Sequence, residues 1–338
     1  MAEPESPTAA SQRADFNPIA HLSSREVPAL ARAFCKTKER TCLTAKRHSV
    51  AITGEKRPVS VVLFGDSMIE RMLTTGRCQD FQPWPSEIIF PNTHLQTLNN
   101  TRLYAGELPI SRMDGVANFG CGGDKIENML YRLIREPASG LRGLLWELNP
   151  PAGGTSAQQK PKLWVISAGS NNLHRKKGLT AGSLHVLDIM LRQLYQANQL
   201  GSKFLLTGLF YRKDIPNGLV DEANTKMKEL VTKLEMAIFG HSIESASAAK
   251  LASDRHEDFW DRSNATFRFL PAPNMDDPDK LFEDHVHLNE EGYRRWMQTL
   301  LPKVDEMVRS IPPSVPGLPP VKPFHNHSPP LDEQGTKQ

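Results

Sequence analysis

"VVLFGDSMIERM", residues 61–72, runs four apolar residues into Gly65, Asp66 and Ser67 and then into the start of a helix. A short apolar strand, a tight exit and a helix make the unit from which parallel α/β sheets are built. Taken alone, a serine at this hand-over is an N-cap, its hydroxyl accepting from an orphan backbone N–H. The rest of the chain decides whether Ser67 does more.

Working outward, strand-like runs recur at 59–64 (VSVVLF), 116–119 (VANF), 163–168 (LWVISA), 203–209 (KFLLTGL) and 266–270 (TFRFL). Each is short, strongly apolar and closed by Gly, Asn, Asp or Pro, as expected of strands buried on both faces of a parallel sheet. Helical patterns fill the gaps at 125–135, 180–199, 221–239 and 289–309. The first has the capping-box spacing Asp124 to Glu127, and the last opens on Asn289 with Glu290 and Glu291 in its first turn. Strands alternating with helices predict a three-layer α/β/α sandwich.

The flanks differ in composition. Residues 1–20 are rich in Pro, Ser, Ala and charge and read as a disordered leader, and 21–58 as a helical extension with a basic face, its pattern clearest over 22–47. Residues 59–311 form the α/β domain. Residues 312–338 hold eight prolines and few large apolar side chains, so they read as a disordered tail. Its PxxP spacings fit an SH3-type docking peptide, but a plain tail is the simpler reading.

Charge and cysteine content exclude several classes. The 41 basic residues nearly balance 38 acidic ones, for a net charge of +3, so no nucleic-acid partner is expected. No apolar stretch reaches transmembrane length, and the N-terminus has no apolar core of a secretory signal. Four cysteines, Cys35, Cys42, Cys78 and Cys121, have neither zinc-site spacing nor scaffold density, which predicts reduced thiols and a cytoplasmic setting. The sequons at Asn99 and Asn264 then have no consequence.

Functional side chains in such a sheet belong in the loops leaving the C-terminal ends of the strands. After the second strand, "NFGCGGDKIEN" fits neither GxGxxG nor GxxxxGK, so no nucleotide is expected. It is either a tight turn or a loop in which the Gly123 N–H serves as an anion donor. After the third, "SAGSNNL" offers the amide of Asn171, a donor neutral at every pH, or an Asx-turn. Before the last helix, "FEDHVHLNEEGY" spaces Asp284 and His287 so that both face one way, a carboxylate orienting a general base. His285 and His287 have no third ligand at plausible spacing, so no metal or other cofactor is expected. Together the loops supply a nucleophile, oxyanion donors, and a base with its orienter.

These four blocks resemble the SGNH (GDSL) hydrolases: Gly65-Asp66-Ser67 the nucleophile block, Gly123 the glycine block, Gly169-Ser170-Asn171 the GxN block, and Asp284-His285-Val286-His287 the DxxH block. Within the family, "NFGCGGDKIENMLYRL" with "GSNN" resembles the catalytic subunits of platelet-activating factor acetylhydrolase. The resemblance spans roughly 59–308. It implies a flavodoxin-like five-stranded parallel sheet in order 2-1-3-4-5, with metal-free hydrolysis of a small-molecule or lipid acyl ester of short chain. The implied roles are Ser67, His287 and Asp284 as triad, Ser67, Gly123 and Asn171 as oxyanion hole, and Met68, Ser170 and Val286 lining the acyl pocket. Segments 76–115 and 240–265 look inserted relative to that relative. A catalytically silent binding or scaffold protein on the same fold is the rival expectation.

Overall fold

The computed structural model describes residues 38–55, 58–74, 87–89, 115–134, 143–148, 161–198, 202–242, 265–275 and 277–311. The leader, the tail, both sequons and nearly all of the two inserted segments lie outside these residues.

Five parallel strands, β1 (Val61–Gly65), β3 (Val116–Gly120), β4 (Leu163–Ser167), β5 (Lys203–Thr207) and β6 (Phe267–Leu270), stand in the order β3-β1-β4-β5-β6. That is the expected 2-1-3-4-5 arrangement counted over the parallel strands. A sixth, β2 (Ile88–Ile89), adds an antiparallel edge outside β3. Two residues carry no readable periodicity, so the sequence gives no sign of this strand.

β1, β3, β4 and β5 are buried at every position, so alternate residues feed two cores. Val62, Phe64, Ala117, Phe119, Trp164 and Ile166 face one layer. It is built from α1 (Glu39–Gly54), α3 (Ile126–Ile134), α4 (Leu144–Leu148), α5 (Ala181–Ala197) and α6 (Asn217–Ser242). Val61, Leu63, Val116, Leu163 and Val165 face the other. There α2 (Ser67–Glu70), α7 (Pro278–Leu281) and α8 (Glu290–Arg309) bring Met68, Leu281, Trp296 and Leu300 onto the sheet.

Helix α8 starts as its sequence predicts, with the Asn289 side chain accepting from the Gly292 N–H at 3.0 Å. Two details of the sequence reading are corrected. Helix α1 runs to Gly54 rather than 47, because Ala45, His48 and Ile52 continue its buried stripe. No capping box opens α3: the Asp124 carboxylate is turned into the core, while Asn128 accepts from the Lys125 N–H at 3.1 Å and Asn172 from the Ile126 N–H at 2.9 Å. Among the described residues no helix is long and apolar enough to cross a membrane.

Candidate active site

The sheet reverses its winding at β1: the chain goes to β3 on one side, then crosses to β4 on the other. Ligand crevices form at such switch points, outside the carboxyl ends of the strands. Gly65 pairs with Gly120 of β3 and with Ser167 of β4, so the loops after all three strands leave the sheet on one rung.

Asp66, not Ser67, is the N-cap of α2: its Oδ1 accepts from the Met68 N–H at 2.9 Å. Ser67 is therefore the first helical residue, where a backbone N–H has no intrahelical partner. Its hydroxyl meets His287, with Nε2 and Oγ 3.0 Å apart. His287 Nδ1 lies 2.7 Å from Asp284 Oδ2. The other oxygen of Asp284 accepts from the Val286 and His287 N–H groups, both at 2.7 Å, so the D-x-x-H segment is a turn closed on its own aspartate. Burial raises the Asp284 carboxyl, but the hydrogen bonds from the His287 ring and the two N–H groups outweigh it, holding the group well below the usual carboxylate range. An ionised Asp284 fixes the tautomer that leaves Nε2 facing Ser67.

Gly123 adopts φ +78° and Gly169 φ +109°, left-handed conformations in which a side chain would be strained. They turn the loops after β3 and β4. Gly169 leads into the 3₁₀ turn Ser170–Asn172, where Asn171 Nδ2 donates to the Asp124 carbonyl at 2.9 Å. That bond uses one of the two amide hydrogens. Among the described residues, neither the Ser67 nor the Gly123 N–H donates to a protein acceptor.

The structure thus brings Ser67, His287 and Asp284 together in one hydrogen-bonded line and ties the Asn171 amide to the loop that carries Gly123. Of the proposed pocket residues, Met68 is buried in the core beneath α8, with its carbonyl accepting from the Tyr293 hydroxyl at 2.8 Å. The Ser170 carbonyl accepts from Arg212 Nη1 at 2.6 Å, and Val286 is buried beside His287. The His285 carbonyl accepts from the Lys213 N–H. Among the described residues no three or more His, Cys, Asp or Glu side chains cluster as a metal site.

Two neighbours escaped the sequence reading. Arg212 grips Asp214 bidentately, at 2.8 and 2.9 Å, while holding the Ser170 carbonyl. Arg132, on the apolar stripe of α3, is fully buried and paired with Asp124 at 2.7 Å. An arginine set among Met129, Leu130 and Leu133 was the available signal, since charged residues are almost never fully buried unless paired.

The model of the GDSL-like lipase/acylhydrolase family matches residues 61–300. No curated protein matches the chain. Among solved structures, one from Streptococcus pneumonia provisionally described as a platelet activating factor is similar at 12% identity, covering 83% of this chain and 98% of its own, with TM-score 0.47. A lipase/acylhydrolase from Enterococcus faecalis shares 16% identity over 72% of this chain and 94% of its own, TM-score 0.38. A family two carbohydrate esterase from Clostridium thermocellum shares 11% identity over 75% of this chain and 66% of its own, TM-score 0.43.

Proposed function

The chain belongs to the GDSL-like lipase/acylhydrolase family and is an SGNH-type carboxylic ester hydrolase; from that premise we propose that Ser67, His287 and Asp284 are its catalytic triad, acting on a small-molecule or lipid ester of short acyl chain. The observation that carries this reading is the unbroken line Ser67 Oγ, His287 Nε2, His287 Nδ1, Asp284 Oδ2, with contacts of 3.0 and 2.7 Å.

His287 takes the Ser67 proton as Oγ attacks the ester carbonyl carbon, and Asp284 stabilises the imidazolium that forms. The charge that develops on the carbonyl oxygen is received by the Ser67 N–H, the Gly123 N–H and the second amide hydrogen of Asn171. Collapse of the tetrahedral intermediate expels the alkoxide, which takes the proton from His287 and leaves an acyl-serine. Water, deprotonated by His287, then attacks the acyl carbon; the bond to Ser67 Oγ breaks, Oγ takes the proton back from His287, and the acid leaves. Ser170 and Val286 flank Asn171 and His287 and line the acyl side; Met68 supports it from the core. The thiols Cys42 and Cys121 are free, which suits a reducing, cytoplasmic setting.

The test is fluorophosphonate labelling of the purified full chain, with hydrolysis of aryl esters of increasing acyl length, beside Ser67→Ala. We expect labelling and turnover in the wild type, fastest on acetate, and a loss approaching ~10⁶-fold in kcat for the variant if the triad acts as a unit. Full labelling of Ser67→Ala would put the nucleophile elsewhere, and absence of wild-type turnover would favour a silent binding protein.

A further inference from the structure

In the glycine loop only Cys121 carries a side chain, and that side chain is hydrogen-bonded to Asp124. Gly122 and Gly123 are adjacent, and a donor misplaced by a fraction of an ångström loses much of its effect on a transition state. The turn is closed by the Asp124 N–H donating to the Cys121 carbonyl at 3.2 Å, and the buried Asp124 carboxylate ties it to the core.

Asp124 and Arg132 are each only 1% exposed. Arg132 spends its fork on three partners: Nε on Asp124 Oδ2 at 2.7 Å, Nη1 on the Phe119 carbonyl and Nη2 on the Gly65 carbonyl, both at 2.8 Å. Its guanidinium also lies over the Phe64 ring, 4.8 Å from the centroid. Gly65 leads into Ser67, Phe119 leads into the glycine loop, and the Asp124 carbonyl holds the Asn171 amide. One buried ion pair therefore connects the three blocks that supply oxyanion donors.

The second carboxylate oxygen of Asp124 is satisfied from another part of the chain. Thr41, buried on α1, donates its hydroxyl to Oδ1 at 2.6 Å. The same helix and its N-cap reach the loop twice more at its rim. Lys38 Nζ donates to the Gly123 carbonyl at 3.0 Å, and Arg40 pairs at 2.7 Å with Glu70, whose Oε2 accepts from the Gly122 N–H at 2.9 Å. Helix α1 lies wholly before residue 61, where the family match begins.

We propose that Asp124, held between Arg132 and Thr41, is a positioning residue for the oxyanion hole, and that helix α1 is a working part of the active site through Thr41 and Lys38. The inference rests on the reading of Ser67, Gly123 and Asn171 given above. Removing the Thr41 donor frees the Asp124 carboxylate to rotate toward Arg132, and the Asp124 carbonyl and Gly123 N–H move with it.

The test is Thr41→Val, close in shape but without the hydroxyl, with Thr41→Ser as rescue and Ser67→Ala alongside. Counting active sites by fluorophosphonate titration, we expect kcat per site to fall ~10-fold in Thr41→Val with KM within about twofold, and Thr41→Ser to recover most of the loss. A kcat per site within about twofold of wild type, with only a lowered Tm, would make Thr41 a plain packing residue and overturn the proposal. Lys38→Met, at an exposed side chain, carries the test if Thr41→Val does not fold. There kcat falls ~3-fold at unchanged KM, and an unchanged kcat overturns the role of α1. Retained turnover in Ser67→Ala would instead sink the active-site reading itself, a result distinct from either.

Discussion

Replacing Asp66 by asparagine should flatten part of the dependence of folding stability on pH. Asp66 is fully buried; its Oδ1 caps α2, while Oδ2 has no hydrogen-bond partner among the described residues. Burial pushes its carboxyl from 3.8 up to about 7, against the lowering effect of the Met68 N–H and with nearby Asp124 adding to the rise. Below pH ~4 the group is neutral in both folded and unfolded chains and contributes nothing. Between ~4 and ~7 the folded chain keeps a proton that the unfolded chain has lost, so stability falls as pH rises, by ~1.4 kcal/mol per pH unit. Over the interval from 3.8 to about 7 this amounts to about 4 kcal/mol, and above it the difference is constant. The amide introduced by Asp66→Asn does not titrate, and its oxygen can accept from Met68 as the aspartate does, so any fixed cost of the substitution appears equally at every pH. Urea unfolding of both proteins in steps from pH ~4 to ~8 measures the difference directly. The variant should gain on the wild type by about 4 kcal/mol across that range. A difference independent of pH would mean that Asp66 is ionised throughout and that the orphan oxygen has a partner after all.

The remaining expectations concern single contacts. Asn171→Ala removes one donor to the developing oxyanion, so kcat should fall ~10²- to 10³-fold with KM nearly unchanged; normal kcat per active site with lowered Tm would reduce Asn171 to a turn residue. Both ring nitrogens of His287 are taken, by Asp284 and Ser67, so activity should survive EDTA; loss restored by zinc would reassign the histidine. Arg132→Met leaves Asp124 as a buried unpaired charge and should cost ~3–5 kcal/mol in urea unfolding, a loss under ~1 kcal/mol contradicting the pairing. Tyr293→Phe removes the hydroxyl that donates to the Met68 carbonyl and should cost ~1 kcal/mol, or roughly 2–4 °C in Tm, by calorimetry.

What could be read from the sequence was local. The parallel strands declared themselves as short apolar runs, and Ser67, Asn171 and the Asp284/His287 pair each sit in a loop whose residue types carry their chemistry within a few positions. What could not be read is held together by long separations. Thr41 and Asp124 are 83 residues apart, and Arg132 reaches back 67 residues to Gly65. No spacing rule connects such pairs. Asp124 shows the difficulty in one residue: its spacing to Glu127 suited a helix cap, but a buried arginine offers a carboxylate a stronger partner than an exposed backbone N–H. Asn172 likewise carries no signal of its own beside Asn171, yet it accepts from the Ile126 N–H and donates to Glu127 and Ser183.

The shared rung of Gly65, Gly120 and Ser167 has a consequence for how this chain tolerates change in length. β1, β3 and β4 are parallel and end at that rung, so each of them begins at the end of the sheet opposite the site. Lengthening the chain ahead of a strand alters how far it travels but not where that strand stops. Adding one residue inside β1, β3 or β4 does the reverse. It exchanges the faces of every side chain beyond it and lifts one catalytic loop off the level of the other two. Tolerance to insertion is thus polarised across the sheet, permissive at one edge and near zero at the other, and an insertion scan scored by active-site labelling would trace that boundary residue by residue.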